Sequence, residues 1–153
     1  MHLVLVHPEI PGNTGNIARL CAATGAVLHL VEPLGFVLKD RYLRRAGLDY
    51  WPKMVLCVHP NWEAVTALFS PERLHLFTTK ATHSYVETSY TGGDALVFGR
   101  ESRGLDESLL KAYPERCIRI PMRPQARSLN LSNACAIAIY EARRQVGWTG
   151  DLD

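Results

Sequence analysis

Ala95-Leu96-Val97-Phe98-Gly99-Arg100-Glu101-Ser102-Arg103-Gly104-Leu105 is the stretch that decides the fold class. Its first four residues form a continuous apolar run with no alternation, the pattern of a strand covered on both faces of its sheet. A loop with two glycines and four polar residues follows at once. Open α/β sheets bind ligands beyond the carboxyl ends of their strands, so this loop is a candidate binding edge. A solvated turn has the same composition.

Working outward, similar β-branched or leucine-rich runs lie at Leu3 to Val6, Val27 to Val31, Met54 to Val58, Leu74 to Phe77 and Cys117 to Ile120. Segments of helical spacing separate most of them, which predicts an α/β fold with a mostly parallel sheet and helices on both faces. The first helix is expected from near Thr14 to just before Gly25, burying Ile17, Leu20, Cys21 and Thr24. Arg19 then points away from that stripe, beside Ala22 and Ala23. A second helical segment near Asp40 to Ala46 places Arg41, Arg44 and Arg45 on one face. A third is expected over Trp62 to Phe69. The last, about Leu131 to Val146, carries Leu131, Ala134, Cys135, Ala138, Ile139, Ala142 and Val146 as its apolar face. Its alanines allow close packing, into the body of the fold or against a second subunit.

Two other loops have the same character. Pro11-Gly12-Asn13-Thr14-Gly15-Asn16 joins the first strand to the first helix, where backbone N–H groups can hold an anion. Its spacing is G-x-x-G, which lacks the glycine that a dinucleotide fingerprint needs, although Glu32 follows the second strand. A tight turn with Asn or Thr capping reads equally well. Ile120 to Asn133 leads from a strand into the last helix, and either Asn130 or Ser132 can serve as that helix's cap.

Composition bounds what these loops can do. A chain of 153 residues, 47% hydrophobic and 21% charged, is expected to form a single domain over residues 1–153, with 147–153 as a loose tail. The first apolar run is too short for a secretory or membrane-spanning segment, so a cytoplasmic protein without a membrane partner is expected. Cys21, Cys57, Cys117 and Cys135 show no C-x-x-C pair and read as buried free thiols. The six histidines have no ligand spacing, and no metal site is expected. A net charge of +2 does not itself announce nucleic-acid binding; only local clustering can.

Taken together and in order, the three loops resemble the three motifs of the SPOUT methyltransferases, in their TrmH/TrmL branch. Pro8 to Gly25 (PEIPGNTGNIARLCAATG) with Glu32 to Phe36 (EPLGF) is similar to motif one, Phe98 to Leu105 (FGRESRGL) to motif two, and Ile120 to Ala134 (IPMRPQARSLNLSNA) to motif three. Leu43 to Tyr50 (LRRAGLDY) also resembles the TrmL subgroup. The resemblance covers about residues 3 to 146. Two positions depart from the pattern, Gly12 and Arg100, where proline is common.

The resemblance implies a C-terminal deep trefoil knot, S-adenosylmethionine as methyl donor, and a homodimer built on the first and last helices. It implies 2′-O-methylation of the wobble nucleotide, position 34, in the tRNA anticodon stem-loop, as cytidine or a cmnm5-type uridine, in tRNA-Leu isoacceptors. Carried over by motif, Phe77, Gly99, Ile120, Ser128 and Leu129 contact the cofactor. Glu101 holds the loops together, and Asn130 orients them near the methyl group. Asn13 and Arg19 match N-x5-R, which places Arg19 against the RNA at the reaction centre. An arginine is a poor base, so its expected role is to bind the adjacent phosphate and stabilise the developing 2′-oxyanion. Arg41, Arg44 and Arg45 are the expected track for the tRNA backbone. The alternatives are 2′-O-methylation of a D-loop guanosine or of rRNA, a non-catalytic RNA-binding dimer, and, on the residues alone, a nicotinamide-dependent oxidoreductase.

Overall fold

The computed structural model describes residues 1–39 and 54–148. Six strands, β1 (His2–Val6), β2 (Val27–Val31), β3 (Leu56–His59), β4 (Leu74–Phe77), β5 (Ala95–Phe98) and β6 (Cys117–Ile118), form one sheet in the order β3-β2-β1-β5-β4-β6. Every pairing is parallel. Alternate residues feed two cores. On one face Leu3, Leu5, Leu28, Leu30, Leu96 and Phe98 pack under α1 (Pro11–Thr24) and α4 (Leu131–Val146). On the other, Val4, Val6, Val31, Leu74, Leu76 and Val97 pack under Val65 and Phe69, beside α2 (Trp62–Thr66) and Leu110 of α3 (Glu107–Ala112). Covering both faces is why Leu3 to Val6 and Ala95 to Phe98 read as unbroken apolar runs.

Several boundaries differ from expectation. Helix α1 begins at Pro11, three residues before Thr14, so Pro11 to Asn16 is its opening and not a free loop. Proline at the first helical position loses no hydrogen bond, and its φ suits the helix. The N-cap is Ile10, with no side-chain cap, so neither Asn nor Thr plays that part. The third strand runs to His59 and the last stops at Ile118. From Arg119 the backbone leaves β4 and pairs with 83–85, through Arg119 N–H to His83 O and Tyr85 N–H to Arg119 O, both 2.9 Å. The helix expected to reach Phe69 ends at Thr66 and continues as turns before Pro71. Helix α3 was not expected; six residues with only Leu110 buried leave no periodic stripe. The helical segment proposed at Asp40 to Ala46 lies outside the described residues, as does most of the tail.

Helices α1 and α4 meet through small side chains, with Ala18, Cys21, Cys135, Ala138 and Ala142 at 0–1% exposure. All four cysteines are free; Cys57 and Cys117 are only half-buried, contrary to expectation. Burial pushes the Cys21 thiol up to about 12 and raises Cys135 as well. Where α1 ends at Gly25 (φ 64°), buried Arg143 of α4 donates Nη2 to Thr24 O at 2.8 Å and Gly25 O at 3.4 Å. A guanidinium there satisfies carbonyls that the helix leaves unpaired.

Three histidines also run diagonally across β1, β2 and β3: the register pairs His2 with Val27 and His29 with Cys57, and each next histidine stands two residues further along its strand. His2 Nδ1 lies 3.0 Å from His29 Nε2, and His29 Nδ1 lies 2.8 Å from His59 Nε2. Burial, followed by the neighbouring imidazoles, pushes His29 down to about 4. Among the described residues no helix is long and apolar enough to cross a membrane, and no group of side chains is arranged to hold a metal ion.

Candidate active site

The carboxyl ends of β4 and β5 open into a cleft of about 510 Å³, walled by Phe77 to Lys80, Phe98 to Leu105 and Arg127 to Leu131, with Ile10 and Asn13 at its α1 side. A smaller apolar recess of about 100 Å³ joins it, where Ile120, Met122 and Leu129 face Phe77 and Phe98. Those two phenyl rings stack at 4.5 Å, a flat hydrophobic floor between polar loops. The combined space is of the size that takes a nucleoside-like ligand, with apolar walls for a planar base and backbone groups for its edges.

The turn after β5 is shaped by what it cannot hold. A Cβ on Gly99 would sit 2.0 Å from Gly104 C and 2.1 Å from Leu105 N, so only glycine fits. Gly104 has φ 70° and donates its N–H to Arg100 O at 2.8 Å, closing the turn on itself. Motif one's second half has a similar cause. A Cβ on Gly35 would lie 2.7 Å from Glu9 Cα, so glycine is what lets the segment after β2 lie against the start of the α1 entry.

One hydrogen-bond network ties the three loops together. Glu101 accepts from Glu9 N–H at 2.7 Å through Oε2, and from Ile10 N–H at 3.1 Å and Asn13 Nδ2 at 3.3 Å through Oε1. Asn130 Nδ2 donates to Asn13 Oδ1 at 3.0 Å. Asn130 Oδ1 accepts from Ser132 N–H at 2.9 Å and Asn133 N–H at 3.3 Å, capping α4. Glu9 answers in the opposite direction, accepting from Ser102 N–H at 3.1 Å and Ser102 Oγ at 2.7 Å. A carboxylate that takes backbone N–H groups uses charge-assisted bonds, the stronger kind.

The structure therefore gathers Asn13, Phe77, Gly99, Glu101, Ile120, Ser128, Leu129 and Asn130 around one cleft. It does not bring Arg19 there. Arg19 is exposed on α1, six residues and roughly 240° around the helix from Asn13. Arg41, Arg44 and Arg45 fall outside the described residues. Sequence reasoning missed Glu9, Ser102 and Gly35. The signal for the last was the glycine inside Glu32 to Phe36; Glu9 and Ser102 carry no local pattern.

Comparison with known proteins agrees with this geometry. Residues 1–140 match the SpoU rRNA Methylase family. The chain is 51% identical over 152 residues, 97% of each chain, to the tRNA (cytidine(34)-2′-O)-methyltransferase of Burkholderia cenocepacia (strain HI2424). A solved structure described as "Structural insights into the 2-OH methylation of C/U34 on tRNA" superposes with a TM-score of 0.89 at 46% identity, covering 94% of both chains. An AdoMet-bound rRNA methyltransferase from Sinorhizobium meliloti matches with a TM-score of 0.81 at 26% identity, covering 94% of this chain and 55% of that one.

Proposed function

We propose, from the premise that this chain belongs to the SpoU rRNA Methylase family, that it is a methyltransferase for the wobble ribose of tRNA. It moves a methyl group from S-adenosylmethionine to the 2′-oxygen of nucleotide 34, a cytidine or a modified uridine, with tRNA-Leu isoacceptors as its substrates. The observation that carries this reading is the cleft in which all three motif loops converge and are locked by Asn130, Asn13 and Glu101. Identity of 51% along almost the full length to a wobble-nucleotide enzyme supports the choice of substrate.

Bound S-adenosylmethionine supplies an electrophilic sulfonium methyl. The chain's own residues must hold, orient and shield. Phe77, Ile120 and Leu129 form the apolar slot, and the Gly99 turn and Ser128 close it. Asn13 and Asn130 fix the relative position of the loops on either side, and fixed geometry is where a reaction with an already activated methyl gains most. Since Arg19 lies outside its own chain's cleft, it can serve a reaction centre only as part of a dimer, on the cleft of a second copy. Its role there is to hold the neighbouring phosphate and stabilise the 2′-oxyanion. Arg41, Arg44 and Arg45 form the track for the anticodon stem-loop.

The same reading makes the chain a single SPOUT domain and a cytoplasmic homodimer, with α4 drawn through a trefoil knot. Supporting the knot, the link from β4 to β5 lies over α4: Gln145 accepts from Tyr90 N–H at 3.1 Å and donates to Thr88 O at 3.0 Å. Arg119, where the chain leaves β6 on its way to α4, pairs with 83–85 of that same link.

The test is transfer of labelled methyl from S-adenosylmethionine to tRNA lacking wobble 2′-O-methylation, followed by mapping. Label at position 34 is expected; label confined to a D-loop guanosine or to rRNA would overturn the substrate assignment. Arg19→Lys should lower turnover, and full turnover with unchanged RNA affinity would remove Arg19 from the mechanism.

A further inference from the structure

The Glu101 network leaves a second set of bonds in the same turn without a role. Arg100 Nη2 donates to His7 Nδ1 at 2.9 Å and to both carboxylate oxygens of Asp106 at 3.1 Å. A guanidinium has no acceptor, so in its bond to Arg100 the His7 ring takes the accepting role through Nδ1. Arg100 is well covered, its side chain 18% exposed.

His7 is also the one non-glycine among the described residues with positive φ, 54°. Such a conformation persists only where surrounding contacts impose it, and it tends to occur at functional sites. Here it lets His7 N–H extend the β1–β2 pairing, reaching Val31 O at 3.0 Å, before the chain turns toward Glu9 and Ile10. The three side chains thus join the end of β1, the first residue after Gly99 and the residue before α3. They bracket the turn whose backbone walls the cleft, and a proline at 100 would make none of these bonds.

We propose that His7, Arg100 and Asp106 are positioning residues for the methyl donor: a clamp that presses the Gly99–Gly104 turn against the end of β1 and presets the cofactor side of the cleft. The proposal rests on reading that cleft as the S-adenosylmethionine site. None of the three touches the reacting atoms, so the clamp governs how tightly donor binds and not how fast methyl moves once it is bound.

The test is calorimetric binding of S-adenosylhomocysteine, paired with steady-state kinetics on tRNA and urea denaturation. Arg100→Met should weaken binding and raise the donor KM roughly 5- to 10-fold, the scale of one ordinary net hydrogen bond because the clamp acts on the donor only through the turn, with kcat held within about twofold. His7→Gly tolerates the backbone but removes the acceptor, and should lose affinity alike. His7→Asn restores an acceptor near Nδ1 and tolerates positive φ, so it should recover most of the affinity. Equal affinity of wild type, Arg100→Met and His7→Gly would overturn the clamp, as would a fall in kcat with unchanged KM. Were Arg100→Met to unfold, the His7→Gly and His7→Asn pair would carry the same decision. Failure of the wild type to bind S-adenosylhomocysteine would instead sink the cleft assignment itself.

Discussion

Two chains of three polar side chains cross this molecule, and they are built on opposite terms. Asn130, Asn13 and Glu101 join segments 117 and 88 residues apart that share no strand pairing, and their chain ends on backbone N–H groups. His2, His29 and His59 join strands that the sheet already holds together. The first, with the Glu9–Ser102 bonds beside it, ties together loops that the sheet does not hold, around a cleft. The second fills a buried stretch of sheet with polar rings that satisfy one another, and it adds no connection the backbone lacks. Loss of a link in the first should therefore cost both stability and function. Loss of a link in the second should cost stability alone.

The largest expected effect is from Gly99→Ala. Its methyl would overlap the backbone of Gly104 and Leu105, so the turn must open, and S-adenosylhomocysteine affinity should fall by about 100-fold or more as measured by calorimetry. Glu101→Ala comes next. It strips acceptors from Glu9 N–H, Ile10 N–H and Asn13 at once, and should cost about 2–4 kcal/mol in urea denaturation together with most cofactor affinity. Loss of stability with unchanged affinity would place Glu101 in the same class as the histidines.

Acid should separate the two chains. His29 has its folded value pushed from 6.5 down to about 4 by burial and then by His2 and His59, so the unfolded chain takes up a proton first. The stability it contributes is complete above pH 6.5 and drains away as pH falls from 6.5 toward 4, by on the order of 2 kcal/mol. His75 shifts the same way, burial outweighing the pull of Asp94. Asp94 adds to the loss at lower pH still: burial raises it, but bonds from Thr91 and His75 leave it below its ordinary value. His29→Phe should flatten the decline in urea midpoint between pH 6.5 and 4 while leaving cofactor affinity intact; a decline of unchanged steepness would acquit the histidines. The smallest effect belongs to Arg144→Ala. That exposed guanidinium pairs with Glu141 one turn away, and no change in urea midpoint should be resolved.

These contrasts bear on what a sequence displays. The bounds of β2, β4, β5 and α4 were legible because each is a run of apolar residues whose period matches one element. The start of α1 was not, since Gly12, Asn13, Gly15 and Asn16 have the composition of a turn and only Pro11 speaks for a helix. The three loops of the cleft, Gly99 among them, were legible through the family resemblance, since by composition the turn after β5 reads equally well as solvated. The bonds between those loops were hidden. Nothing local marks Glu9 as the partner of Ser102, or Arg100 as the partner of His7, because both pairings depend on strands β1 and β5 lying side by side. The histidine chain was hidden for the same reason: positions 2, 29 and 59 have no common spacing until three paired strands set them on one diagonal.

The guanidinium of Arg143 against the carbonyls of Thr24 and Gly25 places a late residue at the end of an early helix. Asn130 does the same at the helix's other end, through Asn13. A ribosome delivers this chain from residue 1 onward, so α1 emerges long before either partner exists. Until the last helix leaves the exit tunnel, the first helix lacks both the guanidinium that adds to its Gly25 cap and its link to the loops, and the cleft cannot be complete. A nascent chain that has not yet released α4 therefore has only part of the cleft's wall, and assembly of the site waits on the last helix to be made.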